Sequence, residues 1–296
     1  MKQLCLKPDH GPRIAVAPAR RLRTAKPYVY SDPSTSSQAA RSMSSHELSG
    51  KAALVIGATA GSGRATARAF AARGANVIAA GLGETDGRAL ESELREEFAV
   101  QALYVEADVR REGDVERVMR AGVERFGRIH AAVNNAGTEG RFAPVHETTS
   151  EDFERIIGVN LRGVWLGLKA QIPHMLAHGG GAIVNTASSA GLTGIANVAL
   201  YTASKHAVVG LTKAAALELA RSKVRVNAVA PGPVDTGLLH RMVAGHIDIA
   251  TIAASVPMGR VSRPEEIAGV IVWLCTDAAS YVTGHTLAID GGLTVA

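Results

Sequence analysis

The stretch Ala52-Ala53-Leu54-Val55-Ile56-Gly57-Ala58-Thr59-Ala60-Gly61-Ser62-Gly63-Arg64 runs five apolar residues straight into a turn that holds three glycines. A short apolar run closed by glycine reads as a strand buried on both faces. The glycines permit a tight turn and a close approach of backbone to a ligand, and a helix starting at about Ser62 would offer free N–H groups and a partial positive charge to a phosphate. Such a turn can follow any buried strand, so its meaning depends on the rest of the chain.

Outward from this stretch, short apolar runs alternate with longer amphipathic ones. Residues 52–56, 76–80, 102–106, 130–134, 182–186, 225–230 and 286–289 read as buried strands, and 62–73, 85–98, 112–126, 151–177, 200–221 and 264–275 as helices. Strands that alternate with helices imply right-handed crossovers and a parallel sheet covered on both faces. The expected fold is α/β, a single doubly wound parallel sheet of the Rossmann type with helices on both faces. Neither an internal repeat nor a second domain is visible. A chain of 296 residues that is 47% hydrophobic can bury one large core.

Composition narrows the function classes. No run of 18 apolar residues occurs, so no membrane span is expected. Cys5 and Cys275, one near each end, make neither a disulfide framework nor a thiolate metal site, which fits a reducing, cytoplasmic setting. The net charge of +5 is unevenly spread. Eight of the 32 Lys and Arg but only two of the 27 Asp and Glu fall in residues 1–42, so that segment carries +6 and the remainder −1. A nearly neutral body argues against a nucleic-acid partner. Residues 1–42 also hold five of the eleven prolines and a Ser-rich run. They read as a disordered basic extension ahead of a catalytic domain over 43–296. Its origin is open between a start assigned too early, with Met43 heading the short lead-in to the first strand, a transit segment and a functional basic arm.

Three polar residues carry the chemistry. Tyr201 and Lys205 are four apart in Tyr201-Thr202-Ala203-Ser204-Lys205, and Ser188 lies thirteen residues upstream. On a helix, i and i+4 share a face, so the ammonium is expected to stand beside the phenol and favour its ionised form. By composition alone such a pair arises in about one chain in seven. A redox-cofactor loop at the start of the same domain changes its weight, because neither side chain can carry a hydride.

With these motifs in hand, residues 48–292 resemble the short-chain dehydrogenase/reductase family. The resemblance rests on the glycine loop, Asn134-Asn135-Ala136-Gly137, Asn160 in Val159-Asn160-Leu161, Ser188 after Ile183-Val184-Asn185-Thr186-Ala187, the Tyr201 and Lys205 pair, Pro231-Gly232 with Thr236, and Asp290-Gly291-Gly292. It implies a catalytic tetrad of Asn160, Ser188, Tyr201 and Lys205. In it Tyr201 is the general acid/base, Ser188 holds the substrate oxygen, and Lys205 lowers the Tyr pKa and binds the nicotinamide ribose. Asn160 would position a water leading to solvent. The same resemblance implies cofactor contacts from Gly57, Gly61, Ser62, Gly63, Asp108, Val109, Asn134, Gly137, Tyr201, Lys205, Pro231, Gly232, Val234 and Thr236. For Asn134, a role in tying strands together competes. Ile56 stands where the family often has Thr.

The cofactor is expected to be NAD, with NADP as the alternative. Gly81-Leu82 ends the second strand where the family often has an acidic or basic selector, and Ala60 takes the usual place of a loop cation. Glu84 or Asp86 could reach a ribose diol, and Arg64 or Arg88 a 2′-phosphate. An unpaired phosphate costs more than an unpaired hydroxyl, which favours NAD.

The segment from about 235 to 261 carries Leu238, Leu239, Met242, Val243, Ile247, Ile249 and Ile252 and reads as an apolar substrate lid, with packing on the body as the alternative. The family's substrates include sugars, steroids, cyclic diols and acyl thioesters, and the tract from Asn134 to Thr236 most resembles bacterial members that oxidise secondary cyclic alcohols. The implied activity is NAD(P)-dependent interconversion of a secondary, cyclic or hydrophobic alcohol and its ketone. A non-catalytic dinucleotide-binding sensor or scaffold is the alternative. His174 and His178 share i, i+4 spacing but no third ligand, so they read as solvated histidines and no metal site is expected. The many-sided apolar helix 200–221 implies, by family analogy, a homotetramer, with a dimer as fallback.

Overall fold

A computed structural model describes residues 47–296. The expectation for residues 1–42 lies outside the described residues. Among the described residues seven strands, β1 (Ala52–Ile56), β2 (Asn76–Gly81), β3 (Ala102–Glu106), β4 (Ala131–Asn134), β5 (Gly181–Thr186), β6 (Val224–Pro231) and β7 (Thr286–Ile289), form one sheet. Its order is β3-β2-β1-β4-β5-β6-β7 and every pairing is parallel. The chain moves outward from β1 to β3 and then returns to place β4 on the other side of β1. That reversal opens a crevice at the carboxyl ends of β1 and β4.

The alternation within β1 shows why both faces are apolar. Ala53 and Val55 join one core with Phe70, Leu90, Leu94 and Ile271, whereas Leu54 and Ile56 join the opposite core with Val118, Leu168 and Val208. Helices α1 (Gly61–Ala71), α2 (Glu84–Phe98) and α9 (Pro264–Cys275) cover the first face. Helices α3 (Glu112–Phe126), α5 (Gly163–Ala177) and α6 (Ala199–Leu219) cover the second. The first helix stops two residues before the expected 73, because Gly74 at φ +82° closes it with bonds from its own N–H to Ala71 O and from Ala75 N to Phe70 O.

The helix expected over 151–177 is a composite. Helix α4 (Ser150–Ile157) starts from Thr149, whose hydroxyl accepts the Asp152 N–H while the Asp152 carboxylate accepts the Thr149 N–H. A π-helical turn, Gly158–Arg162, then leads into α5. One extra residue per turn re-aims the side chain it carries, here Asn160. Beyond β6 the chain leaves the body at Val234 and returns at Ser262, where a bridge and the Asp235 N–Ser262 O and Ser262 N–Pro233 O bonds form a stem. Between them lie α7 (Gly237–Val243) and α8 (Ile249–Ser255), two short helices where the sequence showed only apolar content.

Candidate active site

A cleft of about 760 Å3 lies over the switch point, within the range of small-molecule sites. One end is the glycine loop. Gly57 and Gly61 have φ of +84° and +52°, and a Cβ on Gly57 would stand 2.5 Å from Ala136 N. Helix α1 begins after Ala60, which supplies no side-chain cap, and its first turn holds no acidic residue. Its free N–H groups therefore face the cleft with the positive end of the helix dipole, which suits a pyrophosphate. Gly63 serves packing instead, since a Cβ there would lie 1.8 Å from Gly57 O and its absence lets α1 pack on the loop.

Of the residues expected at the cofactor, Gly57, Gly61, Ser62, Asp108, Val109, Gly137, Tyr201, Lys205, Pro231, Gly232, Val234 and Thr236 line this cleft. Asn134 does not, and of the two roles open to it the side chain takes the one that ties strands together. Its amide donates to Gln171 Oε1 (3.1 Å) and Asn185 Oδ1 (2.8 Å) and accepts from Gln171 Nε2 (2.8 Å). Asn185 in turn donates to Thr212 Oγ1, which donates to Val208 O. Because the Thr212 proton goes to a backbone carbonyl, the orientation of each amide back to Asn134 is determined. This buried chain ties β4 to β5, α5 and α6. The neighbouring Asn135 is the one that reaches the cleft, donating to Gly57 O and accepting from the Thr186 hydroxyl. Sequence reasoning passed over it because two adjacent asparagines on a strand end point to opposite faces.

The selector candidates also change. Arg64 pairs with Glu93, and Arg88 pairs with Glu91 and Glu84 over the Tyr104 ring. Neither arginine lines the cleft, nor do Glu84 or Asp86. Ala60, Gly81 and Leu82 do line it, as does Arg110, which the sequence reading did not single out. The Arg110 guanidinium forks onto Asp108, with Nη2–Oδ2 at 2.6 Å, and holds that carboxyl below its ordinary range.

At the other end, α6 presents Tyr201 and Lys205 to Ser188. The ammonium lies over the Tyr201 ring, 5.6 Å from its centroid, and donates to Thr186 O at 2.8 Å. Burial, rather than the ammonium, is the largest influence on the phenol in this arrangement. Burial raises the Tyr201 pKa, the Ser188 hydrogen bond opposes that, and the Glu139 carboxylate adds to the rise. Burial also lowers Lys205 to about 8. Desolvation of both groups outweighs an attraction directed at the ring face rather than at the oxygen.

Asn160 is fully buried behind this pair. Its Oδ1 accepts the Thr138 N–H, and its Nδ2 donates to Thr138 O and Ser204 Oγ. A Cβ on Gly137 would lie 3.5 Å from Lys205 Nζ and 3.6 Å from Asn160 Oδ1, so a glycine keeps one atom's width between amide and ammonium. Leu238, Leu239, Met242, Val243, Ile247 and Ile252 of the 235–261 segment line the cleft, while Ile249 does not. His174 and His178 stack at 4.1 Å, and His174 Nε2 accepts the Ile129 N–H. The expectation of a solvated His174 is thus corrected to a half-buried backbone acceptor. Among the described residues no group of three or more His, Cys, Asp or Glu could hold a metal ion, and no helix is long and apolar enough to cross a membrane.

The residues of this cleft fit a nicotinamide dinucleotide: a phosphate-binding helix terminus, glycines that admit a close backbone approach, and a buried Lys–Tyr pair beyond them. The chain matches the family model described as enoyl-(acyl carrier protein) reductase over residues 57–294. It is 40% identical to a short chain dehydrogenase/reductase of Aspergillus oryzae, covering 84% of this chain and 96% of that one. It is 38% identical to a cyclohexanol dehydrogenase of Acinetobacter sp. strain SE19 (84% and 97% covered) and 43% identical to a cis-4-hydroxycyclohexanecarboxylate dehydrogenase of Sinomonas cyclohexanicum (82% and 96%). Among solved structures it resembles levodione reductase, with a TM-score of 0.82, 36% identity and coverage of 84% and 99%. It also resembles a Brucella melitensis 3-ketoacyl-(acyl-carrier-protein) reductase complexed with NADH (TM-score 0.78, 36%, 83% and 99%) and actinorhodin polyketide ketoreductase with NADPH (0.79, 38%, 82% and 97%).

Proposed function

This chain belongs to the short-chain dehydrogenase/reductase family and is an NAD(P)-dependent oxidoreductase, and from that premise we propose that it interconverts a secondary cyclic or hydrophobic alcohol and its ketone with Tyr201 as general acid/base. One observation carries this reading: a buried, neutral phenol and the Ser188 hydroxyl meet at the apolar end of a cleft whose other end is a phosphate loop. A nicotinamide held in this cleft would supply or accept the hydride. Ser188 hydrogen-bonds the substrate oxygen and orients it toward Tyr201. In ketone reduction Tyr201 gives its proton to that oxygen as charge develops there, and burial keeps the proton on the phenol until then. In alcohol oxidation the proton returns to Tyr201.

Lys205, anchored by Thr186 O, holds the ribose, and its proton affinity near 8 suits exchange close to neutral pH. Asn160 Oδ1 retains a lone pair beyond its bond to Thr138 for a water that passes protons between Lys205 and solvent. Gly57, Gly61 and Ser62 would hold the pyrophosphate, Asp108 and Val109 the adenine, and Gly137, Pro231, Gly232, Val234 and Thr236 the nicotinamide side. We assign NAD over NADP, because the β2 end offers Gly81 and Leu82, Arg64 and Arg88 are engaged by carboxylates, and Arg110 is engaged by Asp108.

The exposed Leu217 (80%) on α6 and Trp165 (44%) on α5 support assembly through these helices, as a homotetramer or, failing that, a dimer. The chain's cysteine usage supports a cytoplasmic setting.

The test is turnover of a panel of cyclic secondary alcohols and ketones with NAD and NADP, followed by absorbance of the reduced nicotinamide. Tyr201→Phe should lose at least about 10³-fold in kcat while retaining dinucleotide affinity. Unchanged turnover would overturn the role of Tyr201. No turnover across the panel, with dinucleotide bound, would leave the non-catalytic sensor, and a higher kcat/KM with NADP would reverse the cofactor assignment.

A further inference from the structure

An ion pair joins α7 to the loop after β4 beside the cleft. Arg241 of α7 donates from Nε to Glu139 Oε1 at 2.6 Å and from Nη2 to Oε2 at 3.2 Å, across 102 residues of sequence. Both oxygens of one carboxylate are held by one guanidinium, the geometry that fixes position best. The two ends differ in mobility. Glu139 is largely buried in the loop after β4, and its carbonyl accepts from Arg155 of α4 at 3.0 Å. Arg241 sits on a two-turn helix between the Val234–Ser262 stem and Gly245 at φ +73°, and its side chain is mostly exposed. A second contact repeats the pattern: Phe142 of the same loop stacks on His246, just past α7, at 4.9 Å. Helix α7 otherwise rests on Leu239 and Val243, its only buried residues.

We infer that Glu139 and Arg241 are positioning residues whose ion pair clamps α7 against the loop after β4 and thereby presents Leu238, Leu239, Met242 and Val243 to the substrate. The clamp holds these apolar side chains over this end of the cleft, so it sets the selectivity for hydrophobic rings. It rests on the reading of Tyr201 given above only in its second consequence, which is electrostatic. Glu139 lies close enough to Tyr201 to raise its proton affinity, and Arg241 partly neutralises Glu139. The other charged groups facing this region are Lys205 on α6, Arg155 and Asp152 of α4, Arg141, which pairs with Asp152, and His246 beyond Phe142.

The experiment uses the full chain and two readouts that need no substrate. Hydrogen exchange of the α7 amides is measured in wild type, E139Q, R241Q and the double variant. Each single change should speed exchange about three- to fivefold, and the double variant should add little to either. The phenolate absorbance of Tyr201, taken as the difference between each protein and its Y201F counterpart, should titrate at lower pH in E139Q and at higher pH in R241Q. A purely structural loosening would move both the same way. Exchange within twofold of wild type in both singles, additive effects in the double variant, or parallel titration shifts would overturn the clamp. Loss of turnover in Y201F alongside such a result would leave the Tyr201 reading intact while removing this one.

Discussion

Replacing Asn134 by Ala separates two roles that its motif leaves equal. In the fold, Asn134 makes three hydrogen bonds, all to buried amides, and none to the cleft. Truncation leaves Gln171 Oε1, Gln171 Nε2 and Asn185 Oδ1 without that partner. Asn185 cannot turn to compensate, because its Nδ2 is held by Thr212, whose own proton is held by Val208 O. Each buried group left unsatisfied costs about 1–3 kcal/mol, and partial entry of water reduces the sum, so a loss of about 3–6 kcal/mol is expected. For a domain of this size that corresponds to a fall in Tm of roughly 10 °C or more. Urea unfolding of wild type and N134A at equal protein concentration measures it. The KM for dinucleotide in the surviving folded fraction should stay within about twofold. A destabilisation below about 1 kcal/mol with a tenfold rise in that KM would refute the reasoning and return Asn134 to the cofactor wall.

Two further outcomes follow from the same structure. His130 Nδ1 accepts the Ala52 N–H and His174 Nε2 accepts the Ile129 N–H, and burial lowers both pKa values below the ordinary 6.5. The folded protein thus binds fewer protons than the unfolded chain, so stability is complete above about 6.5 and falls as pH drops through the folded values. The H130N/H174Q variant, which keeps both acceptors and removes the titration, should flatten stability between about pH 6.5 and 5 in urea melts; a slope equal to wild type would be contrary. Gly63→Ala forces a Cβ to 1.8 Å from Gly57 O and should weaken dinucleotide binding by at least about tenfold, as followed by nicotinamide fluorescence, whereas Gly113→Ala, with nothing within 4 Å, should be neutral or stabilising by up to about 1 kcal/mol.

What the chain order of residues determined is the framework and the parts list. The unbroken apolar run Ala52–Ile56 reads as a strand covered on both faces, and glycines at 57 and 61 dictate the turn, because backbone conformation and the run of apolar residues are local properties. The i, i+4 spacing of Tyr201 and Lys205 puts them on one helix face for the same reason. Helical spacing could not say that the ammonium would lie over the ring and bond Thr186 O, or that desolvation would raise the phenol rather than lower it. The occupation of Arg64 by Glu93 and the meeting of Glu139 with Arg241 were equally hidden, and the choice between the two roles of Asn134 was left open. Each depends on groups tens of residues apart that become neighbours only once the sheet has ordered its strands. Burial and charge pairing act through space, whereas spacing along the chain reports only on the element to which a residue belongs.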